Sequence, residues 1–187
     1  MKQILLMIAV VALVGCGATT QKKRPTPLYT SIPKNTDAQV KLAYKYFSGI
    51  EVTLNYTKAA ELFKIAAEAG NSDAQFALGA MVTNGLGVPR NHTDAAKWFE
   101  KAARQNNPYG QYLLGLCYKE GNGVVKEPAE AYKWMHLAAE QGCPEHIEAR
   151  NHLALLLTPA VVTEGQRRAK EFRKVLQKCK IEHNAKK

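Results

Sequence analysis

The side chains best suited to nucleophilic, acid–base or soft-metal chemistry in this chain are its four cysteines and five histidines. Their spacing supports none of that chemistry. His92, His136, His146, His152 and His183 never stand four residues apart, the separation that places two metal ligands on one helical face. No CxxC, HExxH or GxSxG sequence occurs. The expectation is therefore a non-enzymatic chain with no catalytic residues, no metal and no cofactor. The cysteines differ in setting: Cys16 closes a short apolar run, while Cys117 sits among small residues at a helical spacing that suits a core. Cys143 and Cys179 stand near the ends of two late helical segments, and a bridge between them is open.

The elements around Cys16 explain its position. The run from Ile4 to Val14 follows a single lysine, Lys2, and is too short for a hydrocarbon core that needs about 20 apolar residues. Leu13-Val14-Gly15-Cys16 resembles the bacterial lipobox, which implies removal of residues 1–15 as a signal peptide and acylation of Cys16. Gly17, where the retained class carries Asp, resembles the outer-membrane class, with the protein facing the periplasm. Residues 16–36 then form a lipidated N-terminus and tether, punctuated by Pro25, Pro27 and Pro33. Lys22, Lys23 and Arg24 either meet anionic lipid or stay solvated.

Beyond the tether the chain matches itself at a shift of 36 residues without gaps. Leu42, Leu78 and Leu114 coincide, as do Gly49, Gly85 and Gly121, and Ala59, Ala95 and Ala131. Each unit holds two apolar-periodic helices separated by a turn such as Gly85-Leu-Gly87-Val-Pro89, whose residues admit positive φ and bar helix continuation. No unit can bury its own apolar face, so the units must stack. The fold class expected is all-α: an α-solenoid of antiparallel helix pairs, about four of them, over residues 37–182. The repeats cover about 37–71, 73–107 and 109–143, a capping pair covers 145–180, and a basic tail covers 183–187.

The pattern A-x-x-x-L-G, G-x-G-V, A-x-x-W-[FM], A-A resembles the Sel1-like repeat, a relative of the tetratricopeptide repeat. Ala74, Leu78, Gly79, Gly85, Gly87, Ala95, Trp98 and Phe99 carry it in the second unit, and Leu114, Gly115, Gly121, Gly123, Ala131 and Trp134 in the third. The first unit departs at Ala43, Glu51 and Leu62, which leaves its turn geometry open.

The resemblance implies function by binding on a concave face lined by the first helix of each pair. Carried over, its residues are Tyr44, Phe47, Phe76, Thr83, Asn84, Tyr109, Tyr112 and Lys119. Their aromatics are either interaction anchors or packing between neighbouring first helices. The net charge of +10 points to an acidic protein or an anionic membrane surface. An exported protein has no use for nucleic acid. Small exported proteins of this kind resemble immunity proteins that neutralise phospholipase effectors of type VI secretion. An envelope scaffold or host-interaction factor fits as well, and the cysteine-rich relatives imply a β-lactam or peptidoglycan enzyme as the rival. Whether the protein is a monomer or an oligomer stays open. Asn55-Tyr-Thr57 and Asn91-His-Thr93 match a glycosylation acceptor that a bacterial chain would not use.

Overall fold

Asparagine starts the helices. In the computed structural model, which describes residues 35–184, Asn35, Asn55, Asn71, Asn91 and Asn107 each hold an extended backbone and accept a backbone N–H of the following turn through the side-chain oxygen. Each such cap is worth about 1 kcal/mol. They open α1 (Thr36–Ser48), α2 (Tyr56–Glu68), α3 (Ser72–Asn84), α4 (His92–Arg104) and α5 (Pro108–Glu120). Then come α6 (Pro128–Ala139), α7 (Pro144–Leu156) and α8 (Pro159–Asn184). The two acceptor-like triplets are thus helix starts, Asn55 and Asn91 being caps of α2 and α4. Cys16 and the tether lie outside the described residues, as does most of the basic tail.

Glycine ends the first helix of each of the three repeats: Gly49, Gly85 and Gly121 take left-handed φ and return an N–H to the last turn. Two residues on, Gly87 and Gly123 are left-handed again, at φ 71 and 76. In the first unit Glu51 adopts φ 65 at the same place, so its turn is the same one despite the missing glycine. The Lys45 ammonium, 2.6 Å away, holds the Glu51 carboxylate.

The core repeats with the sequence. Phe63, Phe99 and Met135, 36 residues apart, are among the largest fully buried side chains. The first helix offers each of the last two a glycine: a Cβ on Gly79 would lie 2.6 Å from the Phe99 ring, and one on Gly115 would lie 2.7 Å from Met135. Small residue against large is what lets the two backbones approach. Alanines 59, 95 and 131 and the doublets ending at Ala67, Ala103 and Ala139 are buried throughout.

The last two helices depart from the pairing. Among the described residues α7 and α8 barely touch each other, and both pack on α6. Gly165 lets α8 in: a Cβ there would stand 2.8 Å from the Tyr132 ring and 3.0 Å from the Ala129 carbonyl. Further along, Phe172 meets Trp134 edge-on at 5.0 Å and Arg173 reaches Glu140 at 2.6 Å, so α8 runs in the same direction as α6. At 1.5 Å per residue its 26 residues span roughly 39 Å, about twice the reach of α6. Its second half therefore projects past the array. No helix of the described residues is long and apolar enough to cross a membrane.

Candidate functional site

The face built by the first helices is held in register by polar contacts that step from one unit to the next. Asn71 caps its own helix through Oδ1 and donates from Nδ2 to Asp37, at 3.2 Å; Asn107 does the same to Asp73, at 2.8 Å. Behind this row runs a buried second one. Gln75 donates to the Ala67 carbonyl and accepts from Gln105, and Gln111, which is fully buried, donates to the Ala103 carbonyl and accepts from Gln141. Buried amides of this kind must find partners, because each orphaned group costs about 1–3 kcal/mol.

The outer row stops at the third unit. Tyr109 stands where Asp37 and Asp73 stood, and Cys143 where Asn71 and Asn107 stood. Cys143 makes no side-chain cap, and its thiol donates to the Glu145 carboxylate at 2.9 Å. In place of the amide–carboxylate step there is an aromatic cluster. Phe76 lies 5.4 Å from Tyr109, Tyr109 meets His146 edge-on at 5.5 Å, and His146 stacks on Tyr112 at 4.7 Å.

The cluster decides which of the expected residues can meet a partner. Phe76 is 4% exposed and only supports Tyr109 from below. Tyr109 and Tyr112 are half-buried with one side open. Tyr44 is half-buried on Phe63, at 4.9 Å, and burial with help from Asp73 and Tyr109 pushes its phenol up to about 12, so it stays a neutral donor. Phe47 packs on Tyr56, away from the cluster. The Thr83 and Asn84 side chains donate to their own helix, to the Gly79 and Ala80 carbonyls. Lys119 pairs with Glu120 at 3.2 Å. The structure thus brings Tyr109 and Tyr112 together around His146, with Tyr44 alongside.

Charge is distributed in a way the total conceals. Residues 35–158 carry twelve Lys and Arg against thirteen Asp and Glu, whereas residues 159–187 carry nine against three, and residues 1–34 five against none. The repeats themselves are nearly neutral, which removes the reason to expect an acidic partner on this face.

Comparison with known proteins supplies the family. The Sel1 repeat matches three times in succession, over residues 36–71, 72–107 and 108–143, more than half of the chain. The chain belongs to the Sel1 repeat family. A Sel1 repeat protein from Oxalobacter formigenes is similar at 37% identity and TM-score 0.58, covering 60% of this chain and 46% of that one. A protective antigen present in uropathogenic Escherichia coli strains, displaying an SLR fold, shares 44% identity at TM-score 0.58 over 60% of this chain and 24% of its own. Helicobacter pylori cysteine rich protein B is alike in fold, at 24% identity and TM-score 0.53 over 61% of this chain and 88% of that one. This chain thus spans less than half the length of the first two relatives. No curated protein matches it.

Within this Sel1 repeat array His146 was not singled out by sequence, although its lone place at the edge of the 36-residue period marks it. It is 4% exposed, and Nδ1 is buried with no partner among the described residues. Burial holds its pKa below the usual histidine range, and burial does the same to His136. A base whose folded pKa is depressed binds its proton more readily when unfolded, so stability falls as pH drops below about 6.5. The melting temperature should be lower at pH 5.5 than at pH 7.5, and His146→Gln should shrink that difference.

The two described cysteines differ in reactivity. Burial pushes the Cys117 thiol up to about 11, which makes it an inert core residue. Cys143 is a free, half-exposed thiol, while the Cys179 side chain lies outside the described residues. The possible bridge needs the end of α8 to reach the start of α7, and Arg173 of α8 meets Glu140, three residues before Cys143. Maleimide should label Cys143 in the folded, unreduced protein and reach Cys117 only after denaturation. Protection of Cys143 that reductant removes would show the bridge to Cys179.

Proposed function

We propose that this Sel1 repeat protein acts by stoichiometric binding of another protein, through the first-helix face at Tyr109, Tyr112 and Tyr44. One observation carries the reading. The outer amide–carboxylate steps cease where Tyr109 begins, so a position released from that duty is the one that offers ring surface. Rigid, partly exposed tyrosines are the side chains that most often dominate such interfaces.

In its fuller form the protein is attached to the bacterial envelope through a lipid on Cys16, at the outer membrane and facing the periplasm. The lipobox-like Leu13–Cys16 stretch and the apolar run ahead of it support this, and the description of the Escherichia coli relative as a protective antigen is in keeping with export. The most specific partner is a phospholipase effector of type VI secretion, neutralised as an immunity protein would do it. An envelope scaffold uses the same face.

The test is capture from envelope extract on the immobilised chain, with the partner identified by mass spectrometry. Tyr109→Ala should weaken the captured partner by about 2 kcal/mol, roughly 30-fold, with the melting temperature nearly unchanged. Undiminished capture by Tyr109→Ala, or a sharp loss of stability in its place, would remove the aromatic face from the reading.

A further inference from the structure

The last helix divides its cations by type. Every described arginine in α8 is engaged: Arg167 with Glu164 and Glu171, Arg168 with Glu127, Glu130 and Glu164, and Arg173 with Glu140. Glu127, Glu130 and Glu140 lie in or beside α6, so two of these arginines clasp α8 to the array. The planar guanidinium suits that bidentate work. The lysines do none of it. Lys170 and Lys174 have no counter-ion among the described residues, and Lys178 has only Glu182, at 4.0 Å.

Lys170, Lys174 and Lys178 follow one another at four-residue steps, which aligns them along one face of the helix. Phe172, Ala169 and Gly165, which meet the core, lie on the opposite side. The stripe continues past the point where Arg173 reaches the end of α6, and Val175 (59% exposed) and Ile181 (70% exposed) interleave with it. The repeats ahead of it are nearly neutral.

We infer that the projecting half of α8 is a docking element for a bilayer carrying acidic headgroups. Flexible point charges without fixed partners suit a diffuse anionic plane better than a shaped acidic pocket, which would favour the guanidinium fork that α8 uses inward. Two exposed apolar side chains among the lysines can enter the headgroup boundary, a contact that nucleic acid does not offer. The inference stands without a lipid on Cys16, because it concerns charge at the opposite end of the described chain.

Hydrogen exchange on the full chain reads this locally, so that the apolar run near the N-terminus does not obscure it. Vesicles of phosphatidylcholine with one third phosphatidylglycerol, at about 0.1 M salt, should slow exchange in residues 174–184 at least tenfold, and pure phosphatidylcholine should not. Lys170→Gln, Lys174→Gln and Lys178→Gln together should lower the vesicle affinity read from that segment about a hundredfold, at up to about 1 kcal/mol per lysine. Exchange over residues 36–156 in the same variant should match the parent, which shows the array intact. Three results overturn the inference: no protection by acidic vesicles, equal protection by neutral ones, or equal protection by duplex DNA at the same salt.

Discussion

Gly123→Ala should lower the melting temperature by roughly 10 °C, a loss of about 3 kcal/mol or more for a chain of this size. Two costs combine. The residue holds φ 76, where an L side chain costs about 1–2 kcal/mol. A Cβ there would also stand 2.0 Å from the His92 carbonyl oxygen and 2.3 Å from its carbon, backbone atoms that cannot swing aside. Gly121→Ala separates the two, since φ is 77 but the nearest atom to a new Cβ is Lys126 Cβ at 3.4 Å, an ordinary contact. It should lose only the conformational part. Equal losses at both positions would show that the close approach between the third turn and the start of α4 contributes nothing. Gly87 makes the matching approach to Tyr56, so the turns of the second and third units each lock against the preceding pair.

Trp134→Ala should cost about 3–5 kcal/mol, and Trp98→Ala about 1 kcal/mol, although the two residues hold the same place in their repeats. Trp134 is 3% exposed, edge-on to Phe172 of α8, with the Lys133 ammonium 4.3 Å above its ring. Trp98 is half-exposed, with Lys101 at 4.0 Å. Denaturant unfolding of the two variants measures the difference directly. Comparable losses would mean that α8 does not cover the third unit as described.

These cases show where sequence stops being informative. Gly85, Gly121, Ala95, Ala131 and Phe99 repeat because each faces the same neighbours in every unit, so period alone placed them. Repetition cannot distinguish Trp98 from Trp134, because their difference comes from an element outside the period. The path of α8 was hidden for the same reason: a helix that follows another after one turn is expected to lie beside it, and Gly165 instead admits α8 to α6. The turn of the first unit was hidden in the opposite sense. Glu51 looks unfit for a left-handed turn, yet neighbouring caps and the Lys45 contact hold it there. Of the proposed binding face, the tyrosines were visible in the sequence. The termination of the Asn–Asp row that gives them significance was not, since a hydrogen bond between residues 34 apart leaves no local mark.

That row and the glutamines behind it have a consequence for how such a chain can change length. Asn71, Asp73, Gln75, Gln105 and Asn107 recur in step with the repeat, so a copy of residues 72–107 spliced in after Asn107 would present every donor with an acceptor already waiting. Growth by tandem duplication is therefore nearly free of polar mismatch in the middle of the array. At the far end the outer step has no equivalent, because Tyr109 and Cys143 stand in place of its carboxylate and its amide.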